Sequence, residues 1–372
     1  MKNQDGLDRR NWLKLRVGLT AGTVGYPVCC VFLLLPFFYL ACLTNLQAQS
    51  QRPNIIYIMT DDMGYGDLSC YGRKDYQTPN LDKLASQGIK FVNAYAAAPV
   101  CTPTRTALMT GRYPARTPVG LIEPLRGSKS DRAIGLTTQY PSIATLMSAS
   151  GYETGLIGKW HLGFLPEHSP VKNGFNYFFG IHSGGADYSS HKGAAGRVHD
   201  LYENDTPVHP EGYLTDLFSE KAVSFIKQKR SAPFFLILTF TAPHWPWQGP
   251  TNIAYPDSVN FMAGGSPAIY AMMMKSLDDS IGHIMTALDE EQIADQTLVI
   301  FTNDNGGERY SDNGGLTNGK LSLWEGGIRV PAFVRWPGKI KAGVVTEQAA
   351  ITMDWAATML AVGGGTLRLI SH

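Results

Sequence analysis

Pro99-Val100-Cys101-Thr102-Pro103-Thr104-Arg105-Thr106-Ala107-Leu108-Met109-Thr110-Gly111 reads as a helix opened by a cysteine and closed by a glycine. Pro103 falls in the first turn, where a missing N–H is tolerated, and Gly111 suits the residue that ends a helix. Unpaired N–H groups and the positive dipole end at the helix start favour an anion beside Cys101. Arg105, four residues on, adds a fixed positive charge on the adjacent turn. By residue chemistry alone, the run also reads as a buried cysteine ahead of an ordinary capped helix.

Working outward, residues 54–60, 234–240 and 297–302 are short apolar runs with the look of buried parallel strands. The first ends at Asp61-Asp62, the second at Pro243-His244-Trp245-Pro246, the third at Asn303-Asp304-Asn305. Adjacent carboxylates repel, and a divalent cation at a strand end is the usual compensation, although a solvated loop pair fits too. Asp61, Asp62, Asp304 and Asn305 offer oxygen only, which suits Ca²⁺ or Mg²⁺ and not zinc. A thiolate at Cys101 would be a poor partner for that ion, whereas an oxidised, oxygen-bearing side chain would be a good one. A further strand over 152–157 runs into Gly158-Lys159-Trp160-His161, where Lys159 and His161 alternate and could share a side. A strand over 91–97 delivers Cys101. Helices are expected at 78–88, where a Thr/Asn cap precedes the first turn, and at 141–150, 211–229, 266–288 and 352–361. Residues 166–210, rich in Gly, Ser and His, read as long loops on the active face, with His182, His191 and His199 mostly exposed and silent.

The Cys101–Arg105 run with Leu108-Met109-Thr110-Gly111, and the stretch from Gly151 to His161, together resemble the signatures of the type I, formylglycine-dependent sulfatases. The Pro243–Pro246 turn and the Lys320 loop running into Glu325-Gly326-Gly327-Ile328-Arg329-Val330-Pro331 are similar to further stretches of that family. The resemblance implies an α/β fold of the alkaline phosphatase-like kind, a large mixed, mainly parallel central sheet flanked by helices on both faces. It implies that Cys101 is converted to formylglycine by a formylglycine-generating enzyme, and that Ca²⁺ (or Mg²⁺) is held by Asp61, Asp62, Asp304, Asn305 and the modified Cys101. Catalytic roles then fall to Cys101, Arg105, Lys159, His161, His244 and Lys320. The formylglycine hydrate would attack sulfur and Asp304 would take its proton. His244 with Lys320 would protonate the leaving oxygen, and His161 would drive sulfate release. Near Ser183 the family places a polar residue at the sulfate. A phosphonate or phosphodiester hydrolase of the same superfamily, or a non-catalytic or truncated sulfated-glycan binder, are the alternative readings.

The chain has 372 residues and a formal net charge of +1, with no basic stripe for nucleic acid. Residues 1–50 read as an export signal: a basic start, an apolar run broken by Pro36, and small residues before Ser50. They carry Cys29, Cys30 and Cys42, leaving Cys70 as a lone structural thiol beside Cys101. No stable membrane span is expected in the mature form. The protein is expected to be periplasmic or secreted, with a twin-arginine route at Arg9-Arg10 and a lipid anchor on Cys42 as variants. The catalytic domain is assigned to 51–362. Residues 363–372 form a short tail where sulfatases continue into a smaller antiparallel subdomain.

Overall fold

The computed structural model describes residues 52–365 apart from 195, 253 and 257. The leader expected at 1–50 and most of the tail lie outside the described residues. In chain order the strands are β1 (Asn54–Thr60), β2 (Ile89–Phe91), β3 (Ala94–Tyr95), β4 (Glu153–Lys159), β5 (Tyr177–Ile181), β6 (Tyr202–Glu203), β7 (Thr206–Pro207), β8 (Phe234–Thr239), β9 (Thr297–Asn303), β10 (Ala332–Arg335), β11 (Val344–Thr346) and β12 (Ala350–Ile351). The helices are α1 (Pro79–Ser86), α2 (Cys101–Thr110), α3 (Ile143–Ala149), α4 (Leu214–Lys227), α5 (Pro267–Glu290), α6 (Glu325–Ile328) and α7 (Thr352–Val362).

Ten strands form one mixed sheet in the order β11-β2-β10-β9-β1-β8-β4-β5-β6-β7, and β12 pairs with β3 in a second, two-stranded sheet. The central strands β9, β1, β8, β4 and β5 are mutually parallel. Side chains of β1 alternate between two cores. Ile56 and Ile58 face the cluster that holds α1, α4 and α5, while Ile55, Tyr57 and Met59 face the cluster that holds α2, α3 and α7. A strand buried on both faces needs a continuous apolar run, which is why Ile55 to Met59 carries no polar group besides the Tyr57 hydroxyl. No described helix is long and apolar enough to cross a membrane.

Three local expectations are corrected. The strand read over 91–97 is two strands in different sheets. The Arg329 guanidinium bonds Val92 O and Asn93 Oδ1, and this clamp turns the chain between β2 and β3. The loops read over 166–210 contain β5, a fully paired member of the main sheet whose Phe178, Phe179 and Ile181 are buried. Thr78 does not cap α1 through its side chain. The first-turn amides of Asn80 and Leu81 instead donate to Asp278 of α5, at 3.1 and 2.8 Å, and Asn80 Nδ2 adds a third bond at 2.9 Å.

That carboxylate therefore performs a capping role from a distant helix. Asp278→Ala is expected to lower stability by about 1–3 kcal/mol. The check is urea unfolding, with a reduced midpoint and an unchanged slope.

Candidate active site

Four neighbouring parallel strands, β9, β1, β8 and β4, end on one edge of the sheet, and each releases a site residue there. The pairing of Thr60 with Asn303 sets Asp61 beside Asp304, whose amide donates to Thr60 O at 3.1 Å. The Asp61 amide donates to Ala242 O at 3.2 Å, which ties the β1 tip to the turn bearing His244. Helix α2 brings its first residue to the same edge. Val100 is extended, Cys101 begins the helix, and Gly111 closes it in the left-handed region at φ 63°. The Thr104 hydroxyl donates to Ala98 O at 2.9 Å and accepts from Ala98 N at 3.2 Å, fixing the approach to Cys101.

Cys101 Sγ stands 3.6 Å from Asp61 Oδ1. Arg105 is buried and points the same way. One terminal nitrogen lies 3.0 Å from Asp304 Oδ2 and 3.5 Å from Asp61 Oδ2, and the other donates to Lys159 O at 3.1 Å. Lys159 Nζ pairs with Asp61 Oδ2. Lys320 Nζ reaches Asp62 Oδ2 at 2.6 Å, and His244 Nε2 lies 3.5 Å from the same oxygen. Asp62 holds a left-handed backbone at φ 64°, with its amide 3.3 Å from Asp304 Oδ1. Asn305 Nδ2 donates to Asp62 Oδ1 at 2.8 Å. All the residues expected at the site thus meet in one place.

The electrostatics follow from burial in a crowd of charges. Burial and then Asp61 push the Asp304 carboxyl up to about 7, against the pull of Arg105. Burial also acts upward on Asp62, but Lys320, His244 and Lys159 together outweigh it and hold that carboxyl well below the usual range. Burial pushes the Cys101 thiol far up, so an unmodified Cys101 is a neutral thiol. One ligating atom each from Asp61, Asp62, Cys101 and His244 falls within a 4.8 Å cluster able to hold a metal ion. Asn305 Oδ1 is buried there without a hydrogen-bond partner among the described residues, an oxygen that a cation would satisfy. The carboxylate and amide oxygens suit a hard cation, the Cys101 sulfur and the His244 imidazole a softer one.

The two histidines have defined tautomers because each bonds a carbonyl, which can only accept. His161 Nε2–H donates to Leu125 O at 2.7 Å, leaving Nδ1 buried and without a partner among the described residues. His244 Nδ1–H donates to Trp245 O at 2.6 Å, so neutral His244 presents a bare Nε2. Burial, reinforced by Lys159, keeps His161 neutral, and burial lowers His244 to about 3. His161 also departs from the expected alternation. Its φ of 56° breaks the extended run, and the side chain faces a cavity of about 420 Å³ also lined by Cys101, His244 and Lys320.

Ser183 is buried and donates its hydroxyl to Gly185 O, so the lining position there belongs to Gly184. The loop histidines expected to be exposed are not. His191 is buried and donates to Gly212 O, while His199 is half-buried and donates to Val208 O. Glu308, Leu125 and Gly184 also line the cavity and were not singled out, since none carries a signature outside its three-dimensional setting.

Among known proteins, the Sulfatase family model matches residues 53–365. The chain belongs to the sulfatase family. It is 36% identical over 340 residues to N-acetylgalactosamine-6-sulfatase of Homo sapiens, covering 85% of this chain and 63% of that protein. Steryl-sulfatase of Homo sapiens is 31% identical over 423 residues, covering 90% of this chain and 70% of that one. The crystal structure of Ps i-CgsB in complex with k-i-k-neocarrahexaose superposes with a TM-score of 0.76 at 35% identity, over 86% of this chain and 73% of that one. This chain therefore spans about 63% of the length of the first of these sulfatases. The fold is the alkaline phosphatase-like fold of sulfatases.

A Cβ on Gly184 would lie 2.7 Å from Cε1 and 2.8 Å from Nε2 of His161, whose ring is pinned by Leu125. Gly184→Ala is expected to displace that ring and cut turnover of 4-nitrophenyl sulfate about tenfold or more, with little change in melting temperature. Steady-state kinetics and a thermal melt on the same preparation check it.

Proposed function

We propose that this protein hydrolyses the sulfate ester of a sulfated sugar, releasing the alcohol and inorganic sulfate. The observation that carries the reading is Cys101 at the mouth of α2, 3.6 Å from Asp61, inside a ring of carboxylates and fixed cations. Membership of the sulfatase family and the glycan bound by a 35%-identical relative support the substrate class. Asp61, Asp62, Asp304 and Asn305 would hold Ca²⁺, with Mg²⁺ as the other hard-ion option. The bound ion and Cys101 as formylglycine would supply charge neutralisation and a nucleophilic oxygen.

The chain's own residues supply the rest. Arg105 is braced by Asp304 and Lys159 O, so its charge stays fixed beside residue 101 without reorganising during the reaction. Lys159 and Lys320 hold their ammonium groups on Asp61 and Asp62 and present positive potential to the anion. His161 offers bare Nδ1 as a proton acceptor, its orientation set by Leu125 O. The leaving oxygen takes its proton from Lys320. The Nδ1–H of His244 is engaged by Trp245 O, and its Nε2 lies by the Asp62 oxygen that holds Lys320, so in this reading the pair acts with the ammonium as the proton source. The basic, apolar leader within residues 1–50 supports action outside the cytoplasm, after maturation by a formylglycine-generating enzyme.

Cys101→Ala is expected to abolish turnover. The mass of the peptide across residue 101 should show loss of sulfur and gain of oxygen in active protein, and an unaltered cysteine in a fully active preparation would sink the proposal. Lys320→Ala should lose about 10²–10³-fold on alkyl sulfates and distinctly less on 4-nitrophenyl sulfate, whose phenolate leaves without help. Ca²⁺ should raise the melting temperature of chelator-treated protein saturably, by the linkage that stabilises any ligand-bound native state. Asn305→Ala should weaken that rise, read by calorimetry with no substrate present.

A further inference from the structure

The cavity that leads to Cys101 has two different ends. Cys101, His161, His244 and Leu125 form the buried one, with Lys320 beside them, while the more exposed Phe164, Trp245 and Leu321 form the other walls. Among these walls sits an acid, Glu308. A carboxylate beside an anion-binding end repels the substrate's sulfate, so its presence calls for a compensating contact.

Glu308 is held where it can make one. Its carbonyl accepts from Ser311 N at 3.1 Å, closing a tight turn after the β9 tip. The Lys320 amide donates to Gly307 O at 3.1 Å, so the Lys320 loop runs alongside that turn. The Glu308 side chain is 26% exposed and the Lys320 side chain 11%, which puts the acid on the more open side of the ammonium. Glu308 Oε2 is buried and has no hydrogen-bond partner among the described residues. Lys320 Nζ is 3.8 Å away, outside hydrogen-bond range and already bonded to Asp62. The Asp62 carboxylate also faces Glu308 and already accepts from Lys320 Nζ and Asn305 Nδ2. A buried carboxylate oxygen without a donor is costly unless a ligand supplies one.

We propose that Glu308 is a specificity-determining residue, accepting a hydrogen bond from a sugar hydroxyl on the ring that carries the sulfate. The inference rests on the sulfatase reading and deepens it. With the ester at the Lys320 end, the groups next outward on a pyranose are ring hydroxyls, and a hydroxyl is the donor a carboxylate accepts best. The apolar walls at Trp245 and Phe164 suit the C–H faces of the ring. A site built for a hydroxyl penalises the analogue that lacks it far more than an apolar pocket penalises an extra one.

The test uses the mature, full chain with three kinds of ester: 4-nitrophenyl sulfate, a panel of galactose and N-acetylgalactosamine monosulfates, and, for the best of these, analogues deoxygenated at each remaining hydroxyl in turn. Values of kcat/KM are measured for wild type, Glu308→Gln and Glu308→Ala. In wild type, one deoxygenation should cost about ten- to a hundredfold. In Glu308→Ala most of that penalty should vanish, and Glu308→Gln should keep part of it. The ratio of two substrates on one preparation cancels any loss of folded or matured enzyme. An identical deoxygenation penalty in wild type and Glu308→Ala overturns the inference, as does an equal loss on every ester, which would make Glu308 a positioning residue for Lys320. Turnover of 4-nitrophenyl sulfate without any sugar sulfate also overturns it and leaves the sulfatase reading intact. A formylglycine-bearing protein that cleaves no sulfate ester overturns that reading instead.

Discussion

Three carboxylates and three cations share one buried volume, and the rest of the site is arranged around keeping them apart and paired. Asp61 faces Lys159 and Arg105, Asp304 faces Arg105, and Asp62 faces Lys320. Each member is 11% exposed or less, so removing one would strand an uncompensated charge in low dielectric. The sheet makes this crowd tolerable. Parallel pairing of β9, β1, β8 and β4 fixes the strand tips in register before any side chain is placed, so the carboxylates cannot drift apart. Backbone hydrogen bonds from Asp61 to Ala242 and from Asp304 to Thr60 extend that register one residue beyond the strands. Like charges are brought together by main-chain geometry and then neutralised by side chains.

Much of this was legible in the chain because the signals are local. Runs of apolar residues ending in Asp61-Asp62 and Asp304-Asn305 mark buried strands that stop at charge, and the Cys101–Gly111 helix carries its own start and stop. What the sequence concealed is contact between residues distant along it. Asp278 caps α1 from nearly two hundred positions away, which no reading of the Thr78 neighbourhood reveals. β5 hid in a Gly-rich stretch because its five residues are too few to stand out from the turns around them. Leu125 acts through its carbonyl on His161, and any residue type has a carbonyl. Gly184 matters through the absence of a side chain beside that ring.

The tautomers sharpen the division of labour. A backbone carbonyl can only accept, so the Leu125 and Trp245 carbonyls place one proton on each imidazole and dictate which nitrogen is bare. His161 presents Nδ1 and His244 presents Nε2, both as acceptors. Burial and the neighbouring ammonium groups oppose a second proton on either ring. Two histidines that look interchangeable in the sequence therefore expose different bare nitrogens, and on the proposed reading the acid is a group that carries its proton at neutral pH. Lys320, anchored on Asp62, is such a group and stands next to His244.

Formal charge then connects the site to its substrate. Asp61, Asp62 and Asp304 balance Arg105, Lys159 and Lys320, leaving the inner cluster neutral on its own. A divalent ion held by the carboxylates and Asn305 Oδ1 would raise it to +2, and Glu308, whose carboxyl burial and Asp62 push up to about 7, would take back up to one. The remaining positive charge would suit a sulfate monoester, which is a monoanion. A phosphate monoester, mainly dianionic at neutral pH, would leave one charge unmatched in a volume where an unmatched charge costs several kcal/mol. On the proposed reading Glu308 would act in two ways at one position, accepting from the sugar and trimming the field toward the charge of the ester. That double use explains why an acid is tolerated beside an anion site, where an apolar wall would bind either ester more indiscriminately.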